Sequence, residues 1–392
     1  MKKICEREQC TGCMACYNSC PQKAIALQEQ DGFFYPNIIE ETCISCGICA
    51  KVCPVLHPVS KKRPIDDTAY AVFHKEKEIR DTSSSGGVFY SLAKSIIEKG
   101  GTVYGAAWTE KVSVKHIRID RKEEISLLQG SKYVQSDVGE IYKFVKADLE
   151  QGVKVLFSGV PCQAAGLRRY LAKEYDNLYI CEVLCHGSAS LVAFREHIKY
   201  IGRKYDSEVI NVNFRAKTEE KCQNITFGFQ NGTEHTFRNP LEDWFYNGFQ
   251  NGTLLRDSCY QCRYTGTDSR SADITLADFW GLQKNSMKFP DGLTYPSLVF
   301  VNSSKGRSLF QENRGDWEVV KRPMEEAVWG NLSLRRSVPK NKWKKKFLEN
   351  YQKYGYERAG ELCLISHPNW KERLKGILGE RLTGFLIKVL RR

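Results

Sequence analysis

The spacing of eight N-terminal cysteines gives the sequence its clearest chemical signal. The stretch CTGCMACYNSCP follows the pattern C-x2-C-x2-C-x3-C-P, and CISCGICAKVCP repeats it 33 residues later. Three closely spaced thiolates bind one iron–sulfur cube, while the cysteine before proline lies too far along the chain to complete it and binds the other cube. The duplication therefore predicts two [4Fe-4S] clusters. The first would use Cys10, Cys13, Cys16 and Cys53, and the second Cys43, Cys46, Cys49 and Cys20.

Sixteen cysteines argue for metal ligation rather than disulfides if the protein stays in the reducing cytosol. The stretch MKKICEREQC lacks the apolar segment of a signal peptide. No apolar run approaches the ~18 residues that a membrane span needs. We therefore expect a cytoplasmic protein. A structural zinc site is the alternative for the N-terminal cysteines.

The rest of the chain predicts an α/β fold behind a ferredoxin-like domain. A charged, proline-containing linker, HPVSKKRPID, follows residues 1–56. Strand-like and helix-like stretches then alternate, and an Asn-Gly turn in NITFGFQNGTEHTF predicts an added antiparallel hairpin. The helix in DVGEIYKFVKADLEQG is predicted to use Asp137 as its N-cap. We expect a mixed α/β core over 67–330 and a basic helical extension over 331–392.

Most of the net positive charge lies in the C-terminal extension. Residues 335–392 hold 16 Lys and Arg against 5 Asp and Glu, so they account for 11 of the 13 net charges. A solvated basic face is the simplest interpretation, and nucleic-acid binding is not expected. Residues 369–392 have apolar residues at helical spacing opposite a basic face. This pattern predicts either a helix docked on the body or a partner, or peripheral contact with a membrane surface at its inner face.

Three loops of the predicted core could cradle a ligand. TSSSGG (82–87) and SGVPCQ (158–163) each enter a helix, where free backbone N–H groups suit a phosphate. GSKYVQSD (130–137) offers Lys132, Tyr133 and Gln135. An ordinary capped turn is the alternative for each loop. No Rossmann or P-loop glycine motif is present, which disfavours those nucleotide sites.

Four cysteines of the body could form a further iron–sulfur site. Cys162 follows Pro161 at a strand-to-helix turn, Cys185 ends a strand, and Cys259 and Cys262 form a Cys-x-x-Cys pair. Converging on one cube, they would bind a third [4Fe-4S] cluster, whereas the alternative is four ordinary buried thiols. Cys181 competes with Cys185, but its place inside a strand suits packing. Cys5, Cys222 and Cys363 are predicted to be structural.

Five motifs in this order resemble the β subunits of coenzyme F420 hydrogenases and dehydrogenases and their relative, the plant 7-hydroxymethyl-chlorophyll a reductase. They are SSSGGVF, GSKYVQS, GVPCQAAGL, LCHG and CYQCRYTGTDSRSADITLADFWG. The resemblance covers roughly residues 1–300. It implies FAD beside an iron–sulfur cluster whose ligands are Cys162, Cys185, Cys259 and Cys262. It also implies flavin-binding residues in the three loops and beyond: Ser84, Ser85, Gly86, Gly87, Ser131, Lys132, Tyr133, Gln135, Ser136, Gly159, Gln163 and Trp280.

The chain departs from the F420 enzymes at SSSGG, where they have glutamine, and at ADFWG, where they have a Ser-Val-Gly ending. Trp280 would stack on the flavin or fill the place of the deazaflavin. Both departures resemble bacterial relatives found with polysaccharide-biosynthesis functions, and they disfavour coenzyme F420 as the substrate.

The resemblance implies an oxidoreductase. Electrons would pass from ferredoxin or a similar donor through the clusters to FAD and then, as hydride, to an unknown organic substrate. His186 is predicted to donate the accompanying proton, and the alternative is a histidine that only hydrogen-bonds a neighbouring group. Asp273 and Asp278 are further polar contacts. The alternative function is an electron-transfer subunit that feeds a separate catalytic chain.

Overall fold

The N-terminal domain packs two short helices against one hairpin. The computed structural model describes residues 3–109, 112–217, 224–282 and 296–365. Strands β1 (Ile25–Gln30) and β2 (Phe33–Ile38) pair antiparallel. Helices α1 (Ala15–Ser19) and α2 (Ile48–Lys51) each follow a cysteine loop. These helices have fewer than six residues, so packing rather than intrinsic propensity holds them.

An eight-stranded mixed sheet forms the centre of the core, in the order β13-β3-β12-β11-β7-β6-β4-β5. Four adjacent strands, β11, β7, β6 and β4, run parallel to one another, and antiparallel strands flank them on both sides. The strand bounds are β3 Thr68–His74, β4 Thr102–Trp108, β5 Val114–Ile119, β6 Val155–Gly159, β7 Leu178–Val183, β11 Ile274–Asp278, β12 Ser297–Val301 and β13 Trp317–Pro323.

Helices cover the sheet and build a second layer with a three-stranded sheet. The small sheet has the order β10-β9-β8, with β8 Val209–Ala216, β9 Asn224–Phe229 and β10 Glu234–Phe237. The remaining helices are α3 Lys77–Thr82, α4 Val88–Glu98, α5 Ile125–Leu128, α6 Ile141–Glu150, α7 Pro161–Leu171, α8 Leu191–Lys204, α9 Trp244–Gln250, α10 Ser304–Glu312, α11 Met324–Gly330 and α12 Trp343–Cys363, which is interrupted at Gly355.

The observed fold confirms the predicted mixed α/β class with added antiparallel strands. The β9–β10 hairpin turns through Asn231 and Gly232, and Gly232 has a φ of 80°. The prediction of Asp137 as a helix N-cap is wrong, because α6 begins only at Ile141. The carboxylate of Asp137 instead accepts a hydrogen bond from the Gly139 backbone (2.9 Å). Its backbone is bonded to β5, so the chain is still extended there.

Helix α12 is part of the core rather than a free extension. Phe347, Tyr356 and Cys363 are buried in one cluster with aromatic residues of α8, α9 and the small sheet. None of the helices in the described part of the chain has both the length and the apolar character needed to cross a membrane. The amphipathic pattern of residues 369–392 lies outside the described residues. The domain boundaries at 56, 67 and 331 remain predictions.

The loops that carry the predicted site residues gather at one edge of the large sheet. The carboxyl ends of parallel strands meet at the same edge, which is where ligands bind in such sheets. Cys162 follows β6, Cys185 follows β7, and Trp280 follows β11. Strand β3 runs in the same direction as β11, so the serine-rich loop after α3 also lies at this edge.

Candidate functional site

The eight N-terminal cysteines form two groups of four. The inward cavity, as we name it, is lined by Cys10, Cys13, Cys16 and Cys53. The outward cavity is lined by Cys20, Cys43, Cys46 and Cys49. In each group the fourth thiol comes from the other repeat, which is the crossed arrangement that the spacing predicts. Four thiols are a complete ligand set for a [4Fe-4S] cluster, so the residues fit that group. Their individual roles as ligands remain predictions.

Cys5 also lines the inward cavity, although its spacing places it outside the motif. It packs against Cys53 on one side and against Cys10 on the other. Within the described ranges, no three His, Cys, Asp or Glu side chains are grouped so that they could hold a single metal ion. Cube ligands each bind a different iron, so they surround a volume instead of converging on one point.

The four body cysteines line one cavity at the carboxyl edge of the sheet, which we name the core cavity. Three elements position them: the first turn of α7 carries Cys162, the end of β7 leads to Cys185, and a 3-10 turn over Asp257–Gln261 holds Cys259 and leads to Cys262. The Ser188 backbone donates a hydrogen bond to the Cys259 thiol (3.3 Å). Residues scattered over a hundred positions of the sequence are thus brought together.

Burial and proximity act on the same four thiols. Burial is the largest cause that raises the pKa of each, and it raises the pKa of Cys259 to about 11. The pKa of Cys162 rises further because Cys185, Cys262 and Cys259 are its neighbours. Burial and crowding keep these thiols protonated, and metal binding would release their protons. By contrast, Cys181 and Cys363 are buried among apolar side chains of the core. Cys222 lies outside the described residues.

The core cavity adjoins the N-terminal domain. Thr11, Pro54 and Val55 form part of its wall. Gly166, one turn after Cys162 on α7, packs directly on the inward group. A Cβ atom at Gly166 would lie 2.8 Å from the Cys13 Cβ and 3.0 Å from its sulfur. The helix that carries Cys162 therefore packs directly against the inward group.

A buried arginine joins several of the predicted flavin-binding residues. Arg215 of β8 pairs with Asp278 (2.6 Å) and donates hydrogen bonds to the Ser84 carbonyl (3.2 Å) and the Tyr133 hydroxyl (3.4 Å). Its guanidinium lies 5.4 Å from the Trp280 ring centroid. The Ser84 and Ser131 hydroxyls share a hydrogen bond of 2.8 Å. Five predicted contacts, Ser84, Ser131, Tyr133, Asp278 and Trp280, are thereby assembled around one cation.

The glycines of the serine-rich loop have packing reasons of their own. A Cβ atom at Gly86 would lie 2.2 Å from the Val72 carbonyl, so no side chain fits there. Gly87 has a φ of 88° where α4 begins. Ser85 shares a hydrogen bond with Ser297 (3.0 Å), whose hydroxyl also accepts from the Gly86 backbone. These contacts fix the loop against the sheet.

The loop before α7 is closed by Gln163. Its side-chain oxygen accepts from the Val160 backbone (3.1 Å), and its amide donates to Ser136 (2.9 Å). Gly159 lies against the same side chain. Ser136, Gly159 and Gln163 are therefore in one small network at the edge of the sheet, between the core cavity and the loop at 130–137.

Lys132 is held by backbone carbonyls rather than by a carboxylate. Its ammonium donates to the carbonyls of Gln129 (2.7 Å) and Gly130 (3.2 Å). No carboxylate among the described residues forms an ion pair with it. Burial lowers the pKa of Lys132 to about 8. A partly desolvated cation without a counter-ion favours binding of an anionic group.

His186 lines the core cavity and is held on one side. Its Nε2 atom lies 3.2 Å from the Gln250 carbonyl, and its ring meets that of Phe249 edge-on at 5.0 Å. Burial lowers the pKa of His186, so the ring is neutral near pH 7. Asp273 is a structural residue: its carboxylate accepts from the Ile180 backbone (2.9 Å) and from Ser303 (2.7 Å).

Gln135 stands apart from the other predicted flavin contacts. Its amide donates to the Thr11 carbonyl (3.4 Å), and its oxygen accepts from Arg256 (3.1 Å). Both partners border the inward cavity, so this side chain faces the N-terminal domain rather than Arg215.

Comparison with known proteins agrees with this geometry. Residues 9–56 match the family described as 4Fe-4S dicluster domain. Residues 152–326 match the family described as the C terminus of the Coenzyme F420 hydrogenase/dehydrogenase beta subunit, and they include all four cysteines of the core cavity. Residues 152–326 thus carry the C-terminal region of this family. Its members are iron–sulfur electron-transfer oxidoreductases, and the chain accordingly has a redox role.

Similar proteins share only parts of the chain. A coenzyme F420-dependent sulfite reductase of Methanocaldococcus jannaschii is 26% identical over 175 residues, which are 43% of this chain and 26% of that protein. PorD, a subunit of pyruvate synthase from Thermotoga maritima, is 39% identical over 54 residues, 14% of this chain and 52% of PorD. The chain thus spans about a quarter and about half of these relatives.

Among solved structures, a chain of the F420-reducing [NiFe] hydrogenase complex from Methanosarcina barkeri aligns with 17% identity and a TM-score of 0.44. The alignment covers 81% of this chain and 94% of that one.

Two arginines at these sites could not be predicted from the sequence. Arg215 gathers the predicted flavin contacts, and Arg256 reaches the inward cavity. Neither stands at a fixed spacing from a cysteine or glycine motif in a way that predicts its partner. The only local signal at Arg215 is a charged residue in NVNFRA, a strand-like stretch whose neighbours are otherwise apolar or neutral.

Proposed function

We propose that the chain is an iron–sulfur flavoprotein that takes electrons from ferredoxin or a similar one-electron donor. They would pass through the two N-terminal [4Fe-4S] clusters and a third [4Fe-4S] cluster to FAD, and then as hydride to an organic substrate. The observation that carries this proposal is the placement of the core cavity directly against the inward cavity. A ferredoxin domain alone does not need a third group of four cysteines at that place.

In this proposal each cavity holds one cluster through its own four thiolates. The inward and outward cavities would use the two N-terminal sets, and the core cavity would use Cys162, Cys185, Cys259 and Cys262. Only the thiolate binds iron, so the burial that raises the pKa of these thiols must be outweighed by metal coordination.

FAD would lie along the edge of the sheet beside the core cavity. When bound, it accepts electrons singly and delivers them in pairs as hydride. The Lys132 ammonium and the hydroxyls of Ser84 and Ser131 suit its phosphates, and the rings of Tyr133 and Trp280 suit its isoalloxazine. Arg215 would orient this set through its bonds to Ser84, Tyr133 and Asp278.

We assign the accompanying proton to His186. Its Nε2–H is directed to the Gln250 carbonyl, which leaves Nδ1 to accept and release a proton at the cavity wall. A His186→Gln variant should keep its iron and flavin but turn over slowly with a substrate, with an altered pH profile. A His197→Gln variant is a control, since His197 is buried against Asp243 and lines none of the three cavities. Equal pH profiles in wild type and His186→Gln would contradict this assignment.

The deciding experiment is iron and flavin per chain after anaerobic purification. About twelve irons and one FAD are expected, and about eight irons without flavin would overturn the proposal. Cys259→Ser should then lose about four irons. Cys181→Ser is the control, because that thiol is buried in the apolar core away from the core cavity, and it should lose none.

A second candidate is an electron-transfer subunit that feeds a separate catalytic chain. It is favoured by one similar protein, PorD, which is a subunit of pyruvate synthase. The two candidates are separated by offering small organic oxidants to the reduced, purified chain. Rapid reoxidation of the flavin supports a self-contained enzyme, and reoxidation that requires a second protein supports the subunit.

The substrate is proposed to be an organic acceptor used in polysaccharide or cell-surface biosynthesis, in the cytoplasm or at the inner membrane face. The departures at SSSGG and ADFWG support this branch over coenzyme F420. Membrane contact is testable by sedimenting the chain with anionic liposomes, with and without residues 369–392. Both forms remaining in the supernatant would exclude that contact.

A further inference from the structure

Arg256 is a buried cation at the junction of the two cysteine-bearing domains. The residue is 1% exposed. The guanidinium donates to the Cys10 carbonyl (2.7 Å), the Phe34 carbonyl (3.0 Å) and the Gln135 side chain (3.1 Å). It also donates to the Cys10 sulfur at 3.6 Å. The guanidinium of Arg256 thus donates hydrogen bonds to both the backbone and the thiol of Cys10, a predicted cluster ligand.

No carboxylate of the described residues forms an ion pair with Arg256. The neighbouring Asp257 is already paired with Lys344 (2.8 Å) and lies 3.5 Å from Arg7. The nearest ring, that of Tyr35, is 4.1 Å from the guanidinium carbon and supplies only a cation–π contact. A buried charge without a counter-ion is destabilising. The anion that best offsets it here is a thiolate-bound cluster behind Cys10.

The backbone of the same residue holds the core cavity. Its N–H donates to the Ser188 carbonyl (3.0 Å), and its carbonyl accepts from the Cys259 backbone (3.0 Å). Ser188 in turn donates to the Cys259 thiol. One residue therefore contacts a predicted ligand of the inward cluster through its side chain and a predicted ligand of the third cluster through its main chain.

We propose that Arg256 is a positioning residue that sets the reduction potential of the inward cluster. Each added electron makes a cluster more negative, so a fixed positive charge at Cys10 stabilises the reduced form. Hydrogen bonds to cluster sulfurs also stabilise the more negative, reduced form, and they are known determinants of the reduction potential. Electrons would thus collect at the inward cluster, next to the core cavity, rather than at the outward one.

The test is a redox titration of the anaerobic holoprotein, followed by the electron paramagnetic resonance of the reduced clusters. In Arg256→Gln, one cluster should have a lower midpoint potential. At a fixed poise its ratio of reduced to oxidised form should fall about tenfold, which is about 59 mV for one electron. Arg256→Lys keeps the charge but loses the fork, so a smaller fall is expected.

Arg80→Gln is the matched control. Arg80 is also buried and donates to backbone carbonyls, but it lies within α3 and away from the cysteines. Its removal should leave all potentials unchanged. If Arg256 had a purely structural role, Arg256→Gln and Arg80→Gln would both lose stability, and neither would change the potential of one cluster selectively.

A second variant decides the matter if Arg256→Gln fails to retain iron. Gln135→Glu places a carboxylate against the same guanidinium and keeps its shape, and it should also lower the potential of one cluster. Unchanged potentials in the iron-loaded variants overturn the inference. It rests only on the N-terminal clusters of the proposed function. If the protein contained no FAD, this titration could still be carried out on its clusters. An unchanged potential would contradict the role of Arg256 without bearing on whether the protein binds flavin.

Discussion

The two repeats of the N-terminal domain share a backbone but have different surroundings. Gly12 and Met14 have left-handed φ values of 68° and 63°, and their equivalents 33 residues later, Ser45 and Gly47, have values of 53° and 73°. The loops around the inward and outward cavities are therefore built alike. Because Ser45 adopts the same conformation, backbone freedom alone does not explain the glycine at position 12.

The space around the loops explains the difference. A Cβ atom at Gly12 would lie 2.5 Å from the Gln135 amide nitrogen and 2.9 Å from Arg256. In the outward loop, Cys46 is exposed, Ile44 is 61% exposed and Ile48 is 37% exposed. The core domain therefore packs over the inward loop, whereas the outward loop is exposed to solvent. We infer that the outward loop receives an external electron carrier and that the inward loop relays to the core.

The largest effect should follow from removing either the outward or the inward cluster. Cys46→Ser and Cys13→Ser should each lose about four irons. Cys46→Ser should abolish reduction of the remaining clusters by a protein carrier such as ferredoxin, while dithionite still reduces them. Cys13→Ser should leave reduction of the outward cluster intact and slow reduction of the core. Anaerobic stopped-flow absorbance measures both. Carrier-driven reduction at the wild-type rate in Cys46→Ser would contradict the assigned roles.

A smaller effect should come from exchanging the residues that distinguish the loops. Gly12→Ser forces Gln135 and Arg256 to move, so we expect a loss of ~1–3 kcal/mol in the free energy of unfolding. Ser45→Gly, the reverse change in the open loop, should alter it by less than about 0.5 kcal/mol. Denaturant midpoints of the anaerobic proteins give the comparison. Equal losses in both variants would show that the backbone, not the domain contact, selects the residue.

The open loop should matter for association rather than stability. Replacing Ile44 and Ile48 together by serine removes exposed apolar contacts, so the KM for the carrier should rise severalfold with kcat unchanged. Unfolding should change by less than about 0.5 kcal/mol. Leu127→Ser is the control, because Leu127 is 50% exposed but lies on α5. A parallel rise of KM in the control would remove the outward loop as the docking site.

A different effect, on the pH dependence of stability, concerns Lys132, whose ammonium has no carboxylate partner among the described residues. Its pKa is lowered to about 8, so above that pH the unfolded chain binds more protons than the folded one. The destabilisation by Lys132 is therefore full below pH 8 and is relieved as pH rises toward 10.5. Lys132→Met should flatten this rise of stability in flavin-free protein. An unchanged slope between about pH 8 and 10 would contradict it.

The two N-terminal cysteine groups were predictable because ligand geometry imposes fixed spacings on the chain, whereas the grouping of the four body cysteines rested on the family resemblance. The parallel strands were predictable from alternation, and the hairpin from its Asn-Gly turn. The start of α6 was not, since Asp137 is occupied by β5 and by the Gly139 turn, contacts that only the folded sheet supplies. Arg215 and Arg256 bind partners more than sixty residues away, and Gln135 faces an unexpected domain, so no local pattern could assign them.

Helix α7 carries Cys162 in its first turn and presses Gly166 on Cys13 one turn later. One helical turn is a stiff spacer of about 5.4 Å. Electron tunnelling falls steeply with distance, so if both cavities hold clusters as proposed, this rigid spacer would make the rate between them independent of domain motion. Transfer across this step should consequently be insensitive to solvent viscosity. A methyl group at position 166 would widen the gap and slow every turnover, although it touches neither donor nor acceptor of the overall reaction.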